Sequence, residues 1–191
     1  MQKKYAYYVI LAVIFLWFIT SYNGLVNSSE NVDQKFGQVQ NVYQRRADLI
    51  PNLVETVKAY ASHEKSTFEE VTKARASIGQ VKLSPDMTPQ QMAEWQKNQG
   101  ELSSALSKLM MVAERYPDLK ASQNFRDLHA SLEGTENRIS TERRELQLAT
   151  RTYNVKCKGF PSGIVANVFG FKPKPFFEAE EGAQKAPKVK F

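Results

Sequence analysis

The residues best suited to catalysis or metal binding are few in this chain and lie far apart. The sequence has two histidines, His63 and His129, and one cysteine, Cys157. His63-Glu64 could begin a His-Glu-x-x-His zinc motif, but Thr67 occupies the place of the second histidine. One cysteine and two separated histidines do not make a structural zinc site. We therefore expect no metal and no other cofactor.

No other set of residues completes a catalytic arrangement. Ser77 and Ser140 lie in helical patterns without a nucleophile elbow, and the chain has neither a glycine-rich phosphate loop nor the Glu-x-x-His pair of a bundle di-metal site. We predict that the protein is not an enzyme and has no catalytic residues. The lone Cys157 fits either a buried small hydrophobic residue or a site of intermolecular pairing.

Two arginine pairs, Arg45-Arg46 and Arg143-Arg144, are the local basic features of the chain. A solvated helix face is the ordinary interpretation of such pairs. Arginine also suits phosphate groups and acidic partners, so the four residues are candidates for partner binding.

A short apolar segment near the carboxyl terminus is the second candidate for partner binding. Phe160-Pro161-Ser162-Gly163 should break the preceding helix. The apolar residues that follow include four candidates for an interface: Ile164, Val168, Phe169 and Phe171. This segment could cap the open end of a helical bundle, or it could dock on a membrane surface or a protein partner.

The charge pattern argues against nucleic-acid binding. The net charge of +6 comes from 26 basic and 20 acidic residues. The excess is partly terminal, at Lys3 and Lys4 and among the lysines after Phe171. Between the ends the signs are mixed, which is typical of a solvated helical surface.

The amino-terminal region predicts a membrane anchor. No charge lies between Lys4 and Glu30, residues 5–20 are strongly apolar, and the aromatic residues Tyr5, Trp17 and Tyr22 lie near its ends, as at membrane interfaces. A cleaved signal peptide is the alternative, but the core lacks an Ala-x-Ala cleavage pattern, which favours an uncleaved anchor. The lysine bias places the amino terminus in the cytoplasm and the following domain in the periplasm.

The rest of the chain predicts an all-α protein, an elongated antiparallel four-helix bundle with long coiled-coil-like helices. The first helix runs to about Ala47, and the second runs from Ile50 to Ile78. The third has Thr88 as N-cap, Pro89 at its first position and Gln91 closing a capping box. The fourth carries a heptad pattern from Phe125 to Tyr153.

The joint at Asp48–Pro51 leaves two arrangements open. Proline is tolerated in the first turn of a helix, and Asp48 can cap that turn, so a new helix is expected to start there and reverse the chain. If Pro51 instead kinks one long helix, the carboxy-terminal segment should lie at the far end from the membrane.

Polar residues interrupt the apolar faces of these helices: Glu64, Arg75, Gln99 and Glu142. Such residues can set the register of a bundle or lie at partly exposed edges. The alternative is a polar site inside the bundle or at a partner interface.

Several sequence blocks, taken in order, resemble the LemA family of bacterial membrane proteins over about residues 20–177. The blocks are Tyr22–Val26, Gln44–Glu64, Tyr116–Lys120, Gly134–Ile139, Gly159–Pro161 and Phe169–Pro173. One departure is that Glu145-Leu146 follows Arg143-Arg144, where the family often has Tyr-Asn. The resemblance implies a single-pass membrane protein with a helical-bundle domain, and it provides no catalytic residues to carry over.

Together these observations predict an anchor at residues 1–24, a helical-bundle domain at 25–158, an apolar segment at 159–177 and a disordered tail at 178–191. The function predicted is that of a self-associating, membrane-anchored scaffold in the inner membrane. The resemblance suggests partners in envelope or membrane quality control, such as a membrane protease. The alternative is a ligand-sensing bundle that signals through a membrane partner.

Overall fold

A computed structural model describes residues 2–80, 83–85 and 87–176, with side chains from Tyr5 onward. These residues are 86% helical, and none of them forms a strand, so the all-α prediction is confirmed. The predicted disordered tail at 178–191 lies outside the described residues.

Six helices are present in the described part of the chain. They are α1 (Gln2–Tyr60), α2 (Lys65–Ile78), α3 (Pro89–Glu114), α4 (Pro117–Ala121), α5 (Gln123–Lys158) and α6 (Ser162–Phe169). One of them, α1, is long and apolar enough near its amino terminus to cross a membrane.

The predicted start of a new helix at Pro51 is wrong. The helix α1 is continuous through Pro51 to Tyr60, and the break falls at residues 61–64, before α2. A proline inside a helix leaves the carbonyl four residues earlier without its usual amide donor. Here that carbonyl belongs to Ala47, and it accepts a hydrogen bond of 3.1 Å from Nε of Arg75 in α2.

The described residues fall into two compact units. Unit 1 comprises residues 2–37 and Arg144–Phe176, and unit 2 comprises Gln38–Arg143. Both α1 and α5 contribute to each unit.

The core of unit 2 is built from five helices and the short turn after α1. Its buried side chains include Ile50, Leu53 and Val57 of α1, Phe68 and Val71 of α2, Leu102, Leu106 and Leu109 of α3, Leu119 of α4, and Phe125 and Leu132 of α5. Two ion pairs, Lys108–Glu70 and Arg115–Glu64, connect α2 and α3. The residue numbers increase along α2 while those of their partners decrease along α3, so the two helices run antiparallel.

Unit 1 joins the first part of α1 to the end of α5. Lys35 pairs with Glu145 at 3.7 Å, and Nζ of Lys156 donates to Oγ of Ser28 at 2.6 Å. These pairs place the two helices antiparallel, and the chain after α5 therefore returns beside α1. The expectation that a continuous helix at Pro51 would send this segment to the far end is wrong, because the reversal occurs at residues 61–64 instead.

The local signals of α3 are confirmed. Thr88 accepts a hydrogen bond from the backbone of Gln91, whose side chain accepts one from the backbone of Thr88 in return, and Pro89 occupies the first turn. The heptad spacing predicts a packed face on this helix at Trp95, Gln99, Leu102, Leu106, Leu109, Ala113 and Tyr116. The first six of these residues are buried, and Tyr116, which follows the end of α3, is half-buried. The complete antiparallel four-helix arrangement and the domain boundaries stay predictions.

Candidate functional site

The buried Arg46 lies at the centre of a polar cluster in unit 2. Its side chain is only 2% exposed. Nη1 donates to Oε1 of Glu136 at 2.8 Å and to Oγ of Ser103 at 3.2 Å, while Nη2 bonds Oε1 of Gln99. A buried charge needs such partners, because removal from water is costly for an ion. The cluster therefore joins α1 to α3 and α5 through one guanidinium group.

The aromatic ring of Tyr43 lies over this guanidinium. Cζ of Arg46 lies 5.1 Å from the centroid of the Tyr43 ring, a cation–π distance. Tyr43 meets Trp95 edge to face, with the ring centroids 4.6 Å apart. Within the described residues, Nε of Arg46 is buried and has no hydrogen-bond partner.

Two pockets adjoin the cluster in unit 2. A cavity of about 170 Å³ is lined by Arg46, Gln99, Ser103, Glu136 and Arg143, among others. A more open cleft of about 810 Å³ lies beside it, with Gln40, Arg75, Leu83 and Trp95 in its walls. Tyr43 and Gln99 line both pockets.

The two arginines of each pair differ in their exposure to solvent. Arg45 is exposed, whereas Arg46 is buried, so the solvated face expected for the pair is wrong for Arg46. Arg143 is half-buried beside the small cavity, and Arg144 is exposed, with its guanidinium 3.9 Å from Glu145. Partner binding by the four arginines stays a prediction, although the guanidinium of Arg46 is bonded within the chain.

Sequence reasoning missed Arg46 as a core residue, although a signal was present. Arg46 follows Tyr43 by three residues and precedes Ile50 by four, so it lies on the apolar stripe of α1. Of the polar positions that the sequence singled out, Gln99 joins the Arg46 cluster, Arg75 caps Ala47, and Glu64 pairs with Arg115 at 3.0 Å. Glu142 is half-buried.

The second candidate site is the carboxy-terminal segment, in unit 1. α6 buries Val165 and Ala166, and Phe169 packs on Phe18 and Tyr22 with ring centroids 5.6 and 4.7 Å away. Phe171 contacts Tyr22 as well, at 5.8 Å. The segment therefore lies against the end of the apolar stretch of α1.

Gly170 ends α6 with a left-handed backbone, φ +74°. The amide of Phe171 donates to the carbonyl of Ala166 at 2.9 Å, and that of Gly170 to Asn167, which is a Schellman motif. This turn directs the chain toward Tyr22.

Polar bonds then fix the chain beyond Phe171. The side-chain amide of Asn154 donates to the carbonyl of Lys174, and the backbone amide of Lys174 donates to Oδ1 of Asn154, both at 2.8 Å. Nζ of Lys174 pairs with Asp33 at 2.5 Å and lies 5.5 Å from the centroid of the Tyr153 ring.

Tyr153 is buried in the same place. Burial and the neighbouring Cys157 thiol raise the pKa of the Tyr153 phenol well above its ordinary value, while a hydrogen bond with Ser29 opposes them. Cys157 is itself buried, as its interpretation as a small hydrophobic residue predicted.

Among the residues of the predicted anchor, Tyr5 and Tyr22 are exposed and Trp17 is half-buried. Between Tyr5 and Leu16 all side chains are exposed.

His63 and His129 are both exposed, and the latter stacks on Phe125. In the described ranges, no three residues of the types His, Cys, Asp and Glu come together as a metal site would require.

Comparison with known proteins identifies the family. The model of the LemA family matches residues 35–191. The chain belongs to the LemA family. The resemblance that the sequence blocks suggested is therefore confirmed.

Three relatives of this LemA family chain are informative. Magnetosome protein MamQ 1 of Paramagnetospirillum magneticum and Magnetosome protein MamQ of Magnetospirillum gryphiswaldense are each 27% identical to it, over 82% of this chain and 64% of their own length. Protein LemA of Metamycoplasma hominis is 19% identical over 90% of this chain and 75% of its own. The chain thus spans about 64% of the length of the MamQ relatives, and none of these names designates an enzyme.

Proposed function

We propose that this LemA family protein is a membrane-anchored, non-enzymatic interaction protein. The observation that carries the proposal is the run of exposed apolar side chains at residues 5–16 of α1, a helix that continues without a break into two packed units. Apolar side chains exposed in this number require another apolar medium, and a bilayer supplies it.

The interaction role follows from what the packed part contains. In the Arg46 cluster, the guanidinium is hydrogen-bonded to Glu136 and Gln99 of the same chain. These side chains connect helices to one another. A helical domain of this kind presents surfaces to partners. We propose that it self-associates in the inner membrane, with its amino terminus in the cytoplasm, and works with membrane proteins in envelope or membrane quality control.

In-cell crosslinking followed by mass spectrometry tests this proposal. We expect crosslinks between copies of the chain and to a small set of membrane proteins. Recovery of the full chain in the soluble fraction, or a monomer without protein crosslinks in the membrane, would contradict it.

A second function is favoured by the cleft of about 810 Å³ beside Tyr43 and Trp95. Its volume is in the range of small-molecule sites, and Arg75 supplies a cationic group at its wall. A sensing bundle would bind a ligand there and signal through a membrane partner. A ligand screen distinguishes the two functions, since a thermal shift abolished by Trp95→Ala would support sensing.

A further inference from the structure

Three large apolar side chains of unit 1 form an exposed stripe along α6 and the turn before it. Phe160 is 88% exposed, Ile164 53% and Val168 67%. Ile164 and Val168 are four residues apart within α6, so they project from the same face of that helix, and Phe160 lies in the turn that precedes it. An apolar stripe of this kind on a protein surface usually marks a contact with another apolar surface.

The opposite side of α6 is fixed to α1. Val165 and Ala166 are buried, and Phe169 packs on Phe18 and Tyr22. The paired bonds between Asn154 and Lys174 hold the following residues in place. The exposed stripe is therefore held outward by a fixed helix, and it is not the product of a loose segment.

The contacts of α6 with α1 place this stripe beside the end of the apolar stretch. Phe18 and Tyr22 lie where the apolar stretch of α1, residues 5–20, gives way to polar residues. If that stretch spans the bilayer, as the proposed function requires, then α6 lies at the boundary between acyl chains and headgroups.

We propose that α6 is an interfacial helix whose residues Phe160, Ile164 and Val168 insert into this boundary beside the anchor. Phe169 of the same helix packs on Phe18 and Tyr22 at the end of the apolar stretch, so a bilayer around that stretch lies next to α6. Lys158 and Lys172 flank α6 and are exposed, which suits anionic headgroups.

Lipid-borne quenchers test this contact in the full chain. Single cysteines are introduced by Ile164→Cys, Ile14→Cys or Glu30→Cys in a Cys157→Ser background and labelled with an environment-sensitive fluorophore. Each protein is reconstituted in vesicles of phosphatidylethanolamine and phosphatidylglycerol that carry a shallow or a deep acyl-chain quencher. Ile14 lies in the apolar stretch, and Glu30 is an exposed residue of the same unit.

We expect the label at residue 164 to be quenched several-fold more strongly than the label at residue 30, and more by the shallow quencher than by the deep one. Val168→Cys should repeat the result, which guards against a local effect of one substitution. Both positions are exposed, so the labels do not disturb the core.

Failure of this inference is distinct from failure of the proposed function. An unquenched label at residue 14 would show that the anchor itself is not in the bilayer. If the label at residue 14 is quenched while those at 164 and 30 are equally unquenched, the interfacial helix is excluded and the anchor stands. Crosslinking between copies at residue 164 without quenching would identify a protein interface and would also overturn it.

Discussion

At the scale of single residues, adjacent arginines occupy opposite environments. One residue step along an α-helix turns the side chain by about 100°, so Arg45 is exposed while Arg46 lies within the core of unit 2. Glu136, the counterion of Arg46, has a side chain that is 40% exposed. Removing Glu136 therefore leaves a buried charge without its counterion, whereas removing Arg46 leaves a carboxylate that water still reaches.

Removing the counterion should destabilise the protein more than replacing the buried charge. Glu136→Ala leaves the Arg46 guanidinium charged without a carboxylate, and we expect it to lower the free energy of unfolding by about 1.5–3 kcal/mol. The double change Arg46→Met with Gln99→Leu leaves neither a buried charge nor an unpaired amide, so its loss should be smaller. Urea unfolding of the full chain in detergent measures both.

Arg45→Met is the matched control for this comparison. Because Arg45 is exposed, the substitution should change the free energy of unfolding by no more than about 0.5 kcal/mol. A double variant less stable than Glu136→Ala would show that the guanidinium itself stabilises unit 2.

The raised pKa of Tyr153 predicts that the protein becomes less stable at alkaline pH. This pKa is raised in the folded state, so the unfolded phenol loses its proton first, at about pH 10. The stabilisation is complete below that pH and is lost as the pH rises toward the folded pKa. Tyr153→Phe should cost about 1 kcal/mol near pH 8 through lost hydrogen bonds.

The difference between wild type and Tyr153→Phe should shrink above about pH 10, because only the wild type carries this phenol. Urea midpoints of the two proteins at several pH values measure it, and the titration of lysines cancels in the comparison. A difference that grows with pH would contradict the assigned cause.

At the scale of helices, a contact from α2 accounts for the proline inside α1. Arg75 donates to the carbonyl of Ala47, which lacks a backbone donor because residue 51 is proline. Arg75→Met should therefore lower the free energy of unfolding by about 1 kcal/mol in the natural sequence. In a Pro51→Ala background the new amide can bond Ala47, so the same substitution should cost less.

A double-mutant cycle on urea midpoints measures this coupling. Lys73→Met, at an exposed position of α2, is the control and should have the same small effect in both backgrounds. Equal costs of Arg75→Met in the two backgrounds would show that Arg75 acts elsewhere.

At the scale of the whole molecule, the lysines before the anchor predict its orientation. Ser104 is exposed on α3, so in a Cys157→Ser background Ser104→Cys should react with an impermeant maleimide in intact spheroplasts. Lys3→Cys should react only after the membrane is permeabilised, since the positive-inside rule places it in the cytoplasm. The reverse pattern of labelling would refute the periplasmic location.

The helical class, most of the buried face of α3 and the capping box at Thr88 can be predicted from the sequence alone. These features depend on residues within one or two turns of each other, so periodicity and capping residues suffice to find them. The motif blocks likewise predicted the LemA family.

The continuity of α1, the burial of Arg46 and the course of the carboxy-terminal segment follow instead from contacts made in the folded protein. Each depends on a partner distant in sequence. Arg75 lies 28 residues from Ala47, and Gln99 and Glu136 lie 53 and 90 residues from Arg46. In the carboxy-terminal segment, Lys174 lies 141 residues from its partner Asp33. Such contacts carry no local periodicity. A proline or an arginine on a helix therefore takes its structural role from whichever side chain the fold brings to it.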